Sequence, residues 1–124
     1  MKLAYFACFA LALGASMAHA ATINCPAAST RLLDHLDKGD YAGATTDFND
    51  RMKASMTADQ LAGLWKSMPL RLGAPGKREP AQVSAVPDYV VVATTLHYGQ
   101  GMIDARVACD VDGKIAGFHL KPHY

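Results

Sequence analysis

No tract of this sequence gathers Lys and Arg onto one face. Its twelve Lys and Arg are interspersed with eleven Asp and Glu, and the formal net charge is +1. Without a basic patch or aromatic-basic interleaving, nucleic acid is not expected as a partner, and neither is an anionic membrane surface. Catalytic signatures are scarce as well. Ser29, Ser55, Ser67 and Ser84 stand outside any Gly-x-Ser-x-Gly elbow and any Ser-x-x-Lys pair. Gly99-Gln100-Gly101 runs into Met102-Ile103-Asp104, a strand opening and not a phosphate-binding helix. No Cys-x-x-Cys is present to lower a thiol pKa. No internal repeat appears, and no cofactor is expected. Beyond residue 20 no apolar run is long enough to span a membrane.

What is present begins with an address. Lys2 is a one-charge head, Leu3 to Leu13 is apolar, and Ala18-His19-Ala20 is a small-x-small cleavage site, the layout of a secretory signal peptide. The expected organisation is a signal peptide over 1–20 and one domain over 21–124, periplasmic or secreted in a bacterium. Cys8 leaves with the leader. Cys25 and Cys109 remain, and two cysteines in an oxidising compartment predict one disulfide between the N-terminus and a late strand.

The mature chain reads as helices and then strands. Ala28, Leu32, Leu33 and Leu36 recur at helical spacing, and Lys38-Gly39 closes that helix. Asp40 is expected to cap a second helix with Tyr41, Ala44, Phe48 and Met52 as its stripe. Thr57-Ala58-Asp59-Gln60 is a capping box opening a third, with Leu61, Leu64, Trp65 and Met68 on one face. Pro69 should end or kink it near Met68. Gly73 to Pro80 has the composition of a linker. Then the period becomes two: Gln82–Val86, Asp88–Tyr98, Met102–Asp110 and Lys114–Leu120 are strand candidates. With no helix between the last three, the sheet must be antiparallel.

The stretch "CDVDGKIAG", from Cys109, raises the question of a calcium loop. The acidic spacing fails the EF-hand pattern, and strands flank it in place of helices. Asp112-Gly113 is instead expected as a two-residue hairpin turn.

The order of these landmarks carries a resemblance. Gly39-Asp40-Tyr41, Trp65, Leu72-Gly73 and Asp112-Gly113-Lys114-Ile115-Ala116-Gly117 lie in a sequence similar, from Ala27 to Pro122, to a small secreted bacterial domain of unknown function, often found ahead of α/β-hydrolase domains. That domain resembles the nuclear transport factor 2-like (cystatin-like) superfamily. The resemblance implies an α+β fold: three N-terminal helices packed on a curved antiparallel sheet of about four strands, a cone with a pocket. It carries no catalytic motif, and any role as an appendage would be played with a partner in trans. The superfamily holds enzymes, binding modules and dimerisation domains, so fold alone does not choose.

Three sets of residues are candidates for chemistry. His97 or His119 with Asp104 would make an acid/base pair if the strand faces aligned, as for a small isomerase or lyase. Period two sets Asp104 with Met102 and Arg106, opposite the more apolar Ile103, Ala105 and Val107, so a solvated cross-strand role is expected instead. His97, His119, His123 and Tyr124 lack the carboxylate or cysteine spacing of a metal site, so no metal is expected and the tail should be mobile. Trp65, Met52, Met68 and Phe48 are the candidate lining of an apolar ligand pocket, or simply a stripe packing on the sheet. The expected function is therefore an exported, non-catalytic module that binds a small apolar molecule or a partner peptide. A homodimer through the open sheet face is the third reading.

Overall fold

A computed structural model describes the backbone from Leu13 and the side chains from Asn24. The signal-peptide reading falls mostly on residues 1–12 and on undescribed side chains, and so lies outside the described residues. Helix α1 (Leu13–Asp37) begins before the expected Ala28 and holds Pro26 within it. Cys25, Ala28, Ser29, Leu32, Leu33 and Leu36 form one buried stripe along it, the i, i+3, i+4 pattern of a helix lying on a core. It ends as its glycine predicts. Gly39 has φ +76°, Gly39 N–H donates to Leu36 O (3.1 Å) and Asp40 N–H to His35 O (2.9 Å), a Schellman closure.

The second helix departs from expectation. Asp40 does cap it, accepting from Gly43 N–H, but α2 (Tyr41–Ala44) is only 4 residues long. The hydroxyls of Thr45 and Thr46 take Ala42 O and Gly43 O, competing for the carbonyls of that last turn. The chain is then held to a distant strand. Ile115 N–H donates to Asp47 O (2.8 Å) and Asn49 N–H to Ile115 O (2.9 Å), with Phe48 bridged to Ile115. Asn49 then caps a separate α3 (Asp50–Ser55). Ala44, Phe48 and Met52 remain buried, but from two helices and the link between them.

The capping box forms as read. Gln60 N–H donates to Thr57 Oγ1 and Thr57 N–H to Gln60 Oε1, opening α4 (Ala58–Leu72). Pro69 does not stop it. The helix continues to Leu72 because Pro69 stands on the exposed side and the last turn is fastened elsewhere. Gly73 N–H reaches Pro69 O, and Gln100 N–H reaches Leu72 O at 2.7 Å.

The expected linker contains a strand. β1 (Pro75–Arg78) pairs with β3 (Tyr89–Tyr98), Pro75 opposite Tyr98 and Arg78 opposite Leu96, with a bulge between. Glu79 N–H to Thr95 O (2.8 Å) carries the pairing on. β2 (Gln82–Val86) then pairs with the other end of β3. The sheet has five strands, against about four expected, in the order β1-β3-β4-β5, with β2 also on β3. All strand pairs are antiparallel. Val90, Val92, Thr94 and Leu96 of β3 share the buried face with Ile103, Ala105, Val107 and Cys109 of β4 (Gly101–Cys109). Ile115 and Phe118 of β5 (Ile115–Pro122) complete it. Among the described residues, no helix is long and apolar enough to cross a membrane.

The β4–β5 connection is wider than a two-residue hairpin. Asp110 N–H donates to Lys114 O (2.8 Å), Gly113 alone takes positive φ (+79°), and Asp112 does not. The organising side chain is Asp110. Its Oδ1 accepts from Asp112 N–H and Lys114 N–H (both 3.0 Å), and its Oδ2 accepts from Asn49 Nδ2 (3.0 Å).

The disulfide forms as read, with Cys25 and Cys109 Cα atoms 5.8 Å apart and both residues wholly buried. Replacing both cysteines by Ala is expected to cost roughly 4–5 kcal/mol on the chain-entropy model, given a loop of 84 residues' separation, measured as the shift in urea unfolding free energy. Asp110→Ala is expected to cost about 1–3 kcal/mol, since it strands two backbone donors and Asn49. Asp112→Asn should change stability by less than about 0.5 kcal/mol. Equal effects at the two positions would refute this assignment of the turn.

Candidate functional site

The inner face of the sheet and the helices do not close at one end. There β3 finishes in Leu96-His97-Tyr98, β1 supplies Pro75, Gly76 and Arg78, α1 ends in Asp37, and α4 presents Trp65. Together they line a cleft of about 320 Å³. A second hollow of about 350 Å³ shares Asp37, Trp65, Pro75 and Tyr98 with it, and continues past Tyr41, Pro69, Lys38 and Lys66. The two form one groove at the C-terminal end of α1.

Each wall residue has a local cause. Tyr98 follows Leu96 on the period-two inner face of β3 and packs, half-buried, against the core. Trp65 is on the core-facing side of α4, one turn after Leu61, and is also half-buried. Arg78 is fastened to α1 by two ion pairs, Nη1 to Asp34 Oδ1 (3.0 Å) and Nη2 to Asp37 Oδ2 (2.7 Å). Partial burial works against its charge, but the hydrogen bonds to Asp37 and Asp34 outweigh that and hold the guanidinium more firmly protonated than usual. The Tyr98 phenol is pushed above its ordinary range, first by burial and then by the Asp37 carboxylate. It therefore stays neutral, a hydrogen-bond donor at neutral pH.

Of the four residues expected to line a pocket, only Trp65 borders this groove. Phe48, Met52 and Met68 are buried. Of the groove's other walls, Tyr98, Asp37 and Arg78 were not singled out as pocket lining by sequence reasoning, and Tyr41 was read only as part of a helix stripe. For Tyr98 the signal was available in its alternation with Leu96. For Arg78 none was, because its strand read as a linker.

The acid/base candidates are kept apart. His97 Nε2 is hydrogen-bonded to Glu79 Oε2, not to Asp104. Asp104 accepts from Thr95 Oγ1 (2.7 Å), directly opposite it across the sheet, and contacts His123 Nδ1 (2.8 Å). His119 is exposed on β5, opposite Arg106. The tail is more ordered than its composition implies. β5 continues to Pro122, and His123 N–H donates to Met102 O (3.1 Å). Among the described residues, no three His, Cys, Asp or Glu side chains gather into a metal-holding group.

Comparison with known proteins places the chain. Residues 29–118 match the family described as protein of unknown function (DUF3887), and the chain belongs to that family. It is also similar to a protein named Esterase EstD from Thermotoga maritima, at 28% identity over 91 residues. The match takes in 72% of this chain but spans only 22% of that relative's length. No solved structure matches the chain.

Asp104 provides a pH test. Partial burial opposes its ionisation, but hydrogen bonds from Thr95 and His123, with the charges of His123 and Arg106, lower its pKa overall. A carboxylate with a depressed folded pKa stabilises the fold above its unfolded value, near 3.9, and loses that contribution as pH falls through the folded one. Asp104→Asn is therefore expected to reduce unfolding free energy at pH 7 by no more than about 1 kcal/mol, the pair being partly solvated. Urea titrations at descending pH should show the difference from wild type shrinking once the medium drops below about pH 4. A difference that grew below about pH 4 would contradict this assignment.

Proposed function

We propose that this protein is an exported binding module that takes up an apolar small molecule, or an apolar segment of a partner, beside Trp65 without transforming it. The observation that carries the reading is the groove itself. Two half-buried aromatic rings, Trp65 and Tyr98, face a hollow of about 320 Å³ with Pro75 and Leu96 beside them and Asp37, Arg78 and His97 as its polar border, within the range of small-molecule sites. The candidate catalytic groups point to the same reading. His97 borders the cleft but is engaged by Glu79, and Asp104 is engaged by Thr95 and His123 and lies outside the cleft.

Helices laid on one face of an antiparallel sheet, with an opening at one end, support a nuclear transport factor 2-like cone. The bulges in the β1–β3 and β4–β5 registers are devices that bend a sheet. Export is supported by the apolar N-terminal run with its Ala18-His19-Ala20 site and by a buried disulfide, which an oxidising compartment favours. Likeness to part of an esterase supports a module that serves beside a hydrolase.

Trp65 is the sole tryptophan and reports directly. Its emission is expected to be blue-shifted relative to free tryptophan. Titration with the neutral apolar probe phenylnaphthylamine should quench it by energy transfer, and should raise the melting temperature with probe concentration. Trp65→Leu should weaken uptake of the probe, followed through the probe's own fluorescence. No uptake by the folded protein would end the binding reading. A turnover lost in His97→Ala or Asp104→Ala at unchanged melting temperature would replace it with an enzyme.

A further inference from the structure

The groove is electrically lopsided. At its β1 end, Arg78 is spent on Asp34 and Asp37 (3.0 and 2.7 Å), so that end offers an incoming ligand no unmatched positive charge. At the other end stand Lys38 and Lys66. Among the described residues neither lysine is in an ion pair. The carboxylate beside them, Asp40, is already taken on both oxygens, by Gly43 N–H (2.9 Å) and His35 Nδ1 (3.0 Å). The C-terminal carbonyls of α1 at His35 and Leu36 are likewise capped, by Asp40 and Gly39 N–H. Lys66 Nζ lies 5.5 Å from the centre of the Tyr41 ring, which keeps the ammonium over the groove's aromatic side. The same wall includes Gly39, where a side chain would meet nothing within 4 Å, so the rim is open to a head group.

Resting on the binding reading above, we infer that the ligand is an amphipathic small-molecule acid. Its apolar body lies against Trp65, Tyr98, Pro69 and Pro75, and its single anionic head is held between Lys38 and Lys66. The shared walls Trp65, Pro75 and Tyr98 make the two hollows continuous, so one molecule can span from the aromatic end to the lysine rim. An apolar body supplies the burial, and the lysines fix its direction. A cation is disfavoured at the rim by like charge, and a neutral molecule gains nothing from the two ammonium groups.

The test uses a matched pair of probes on the full chain: anilinonaphthalene sulfonate, which is anionic, and phenylnaphthylamine, the same ring body without the charge. Both are read by quenching of Trp65. The sulfonate is expected to bind about tenfold more tightly. Its affinity should fall as salt rises from about 0.01 to 1 M, while that of the neutral amine does not. Lys38→Glu with Lys66→Glu should erase the sulfonate's advantage and leave the amine's affinity unchanged. Lys38→Gln with Lys66→Gln should give an intermediate loss, and an unfolding midpoint like the wild type's would show that the fold is intact. If the amine binds and the sulfonate binds no better, or if the charge reversals leave the sulfonate's advantage in place, the acid inference is wrong and the cleft reading stands. If neither probe reaches Trp65 in the folded protein, both fall together.

Discussion

The architecture depends on α1 being held at two points. Near its start, Cys25 is bonded to Cys109 at the end of β4. Near its end, Asp34 and Asp37 hold Arg78 of β1. Between these lies the buried stripe of Ala28, Ser29, Leu32, Leu33 and Leu36. The two fasteners differ in kind. The disulfide acts mainly by removing freedom from the unfolded chain. The ion pairs are partly solvated and add little free energy individually, but they fix which way β1 approaches the helix. Helix α1, laid across the sheet, is thus set in register at both ends, and the groove begins just past the second fastener.

Local signals in the sequence were read correctly where the partner lies within a turn or two. The Gly39 closure, the Thr57–Gln60 box and the period-two faces of β3 and β4 depend on residues at most a few positions apart. The cysteine pair was legible for another reason, since arithmetic allows a single pairing. What was missed depends on distant partners. No local rule says that the link after Ala44 will lie along Ile115, some seventy residues later, and so split a helix whose stripe was otherwise continuous. No local rule turns Pro75-Gly76-Lys77-Arg78 into a strand, because the cause is the end of β3 and two aspartates of α1. Asp110 was passed over for Asp112-Gly113 because turn statistics favour the dipeptide, while the carboxylate reaching back to Asn49 is a tertiary contact.

Three of the histidines meet carboxylates at joints between elements. His35 meets Asp40 where α1 gives way to α2. His97 meets Glu79 where β1 gives way to β2. His123 meets Asp104 where β5 runs out. In each case a ring nitrogen meets a carboxylate across a change of element. A histidine near an acidic residue in the sequence is therefore a poor guide to a site in this fold. The half-buried aromatic residues at the end of the core are a better one.

The groove follows from small residues in β1. Along most of β3 the inner face is covered by the buried stripe of α1. At Tyr98 that cover ends, because α1 has closed at Gly39, and α4 is turned aside at Gly73. The strand that flanks this end opens with Pro75-Gly76. Gly76 brings no side chain, and a Cβ there would stand 3.4 Å from His97 O, at the near limit of ordinary contact. The strand that extends the sheet thus also leaves its end without a filling side chain. Trp65 and Tyr98 meet a hollow where the next layer of core would otherwise be. Closing the sheet edge and opening the groove are consequences of one short strand.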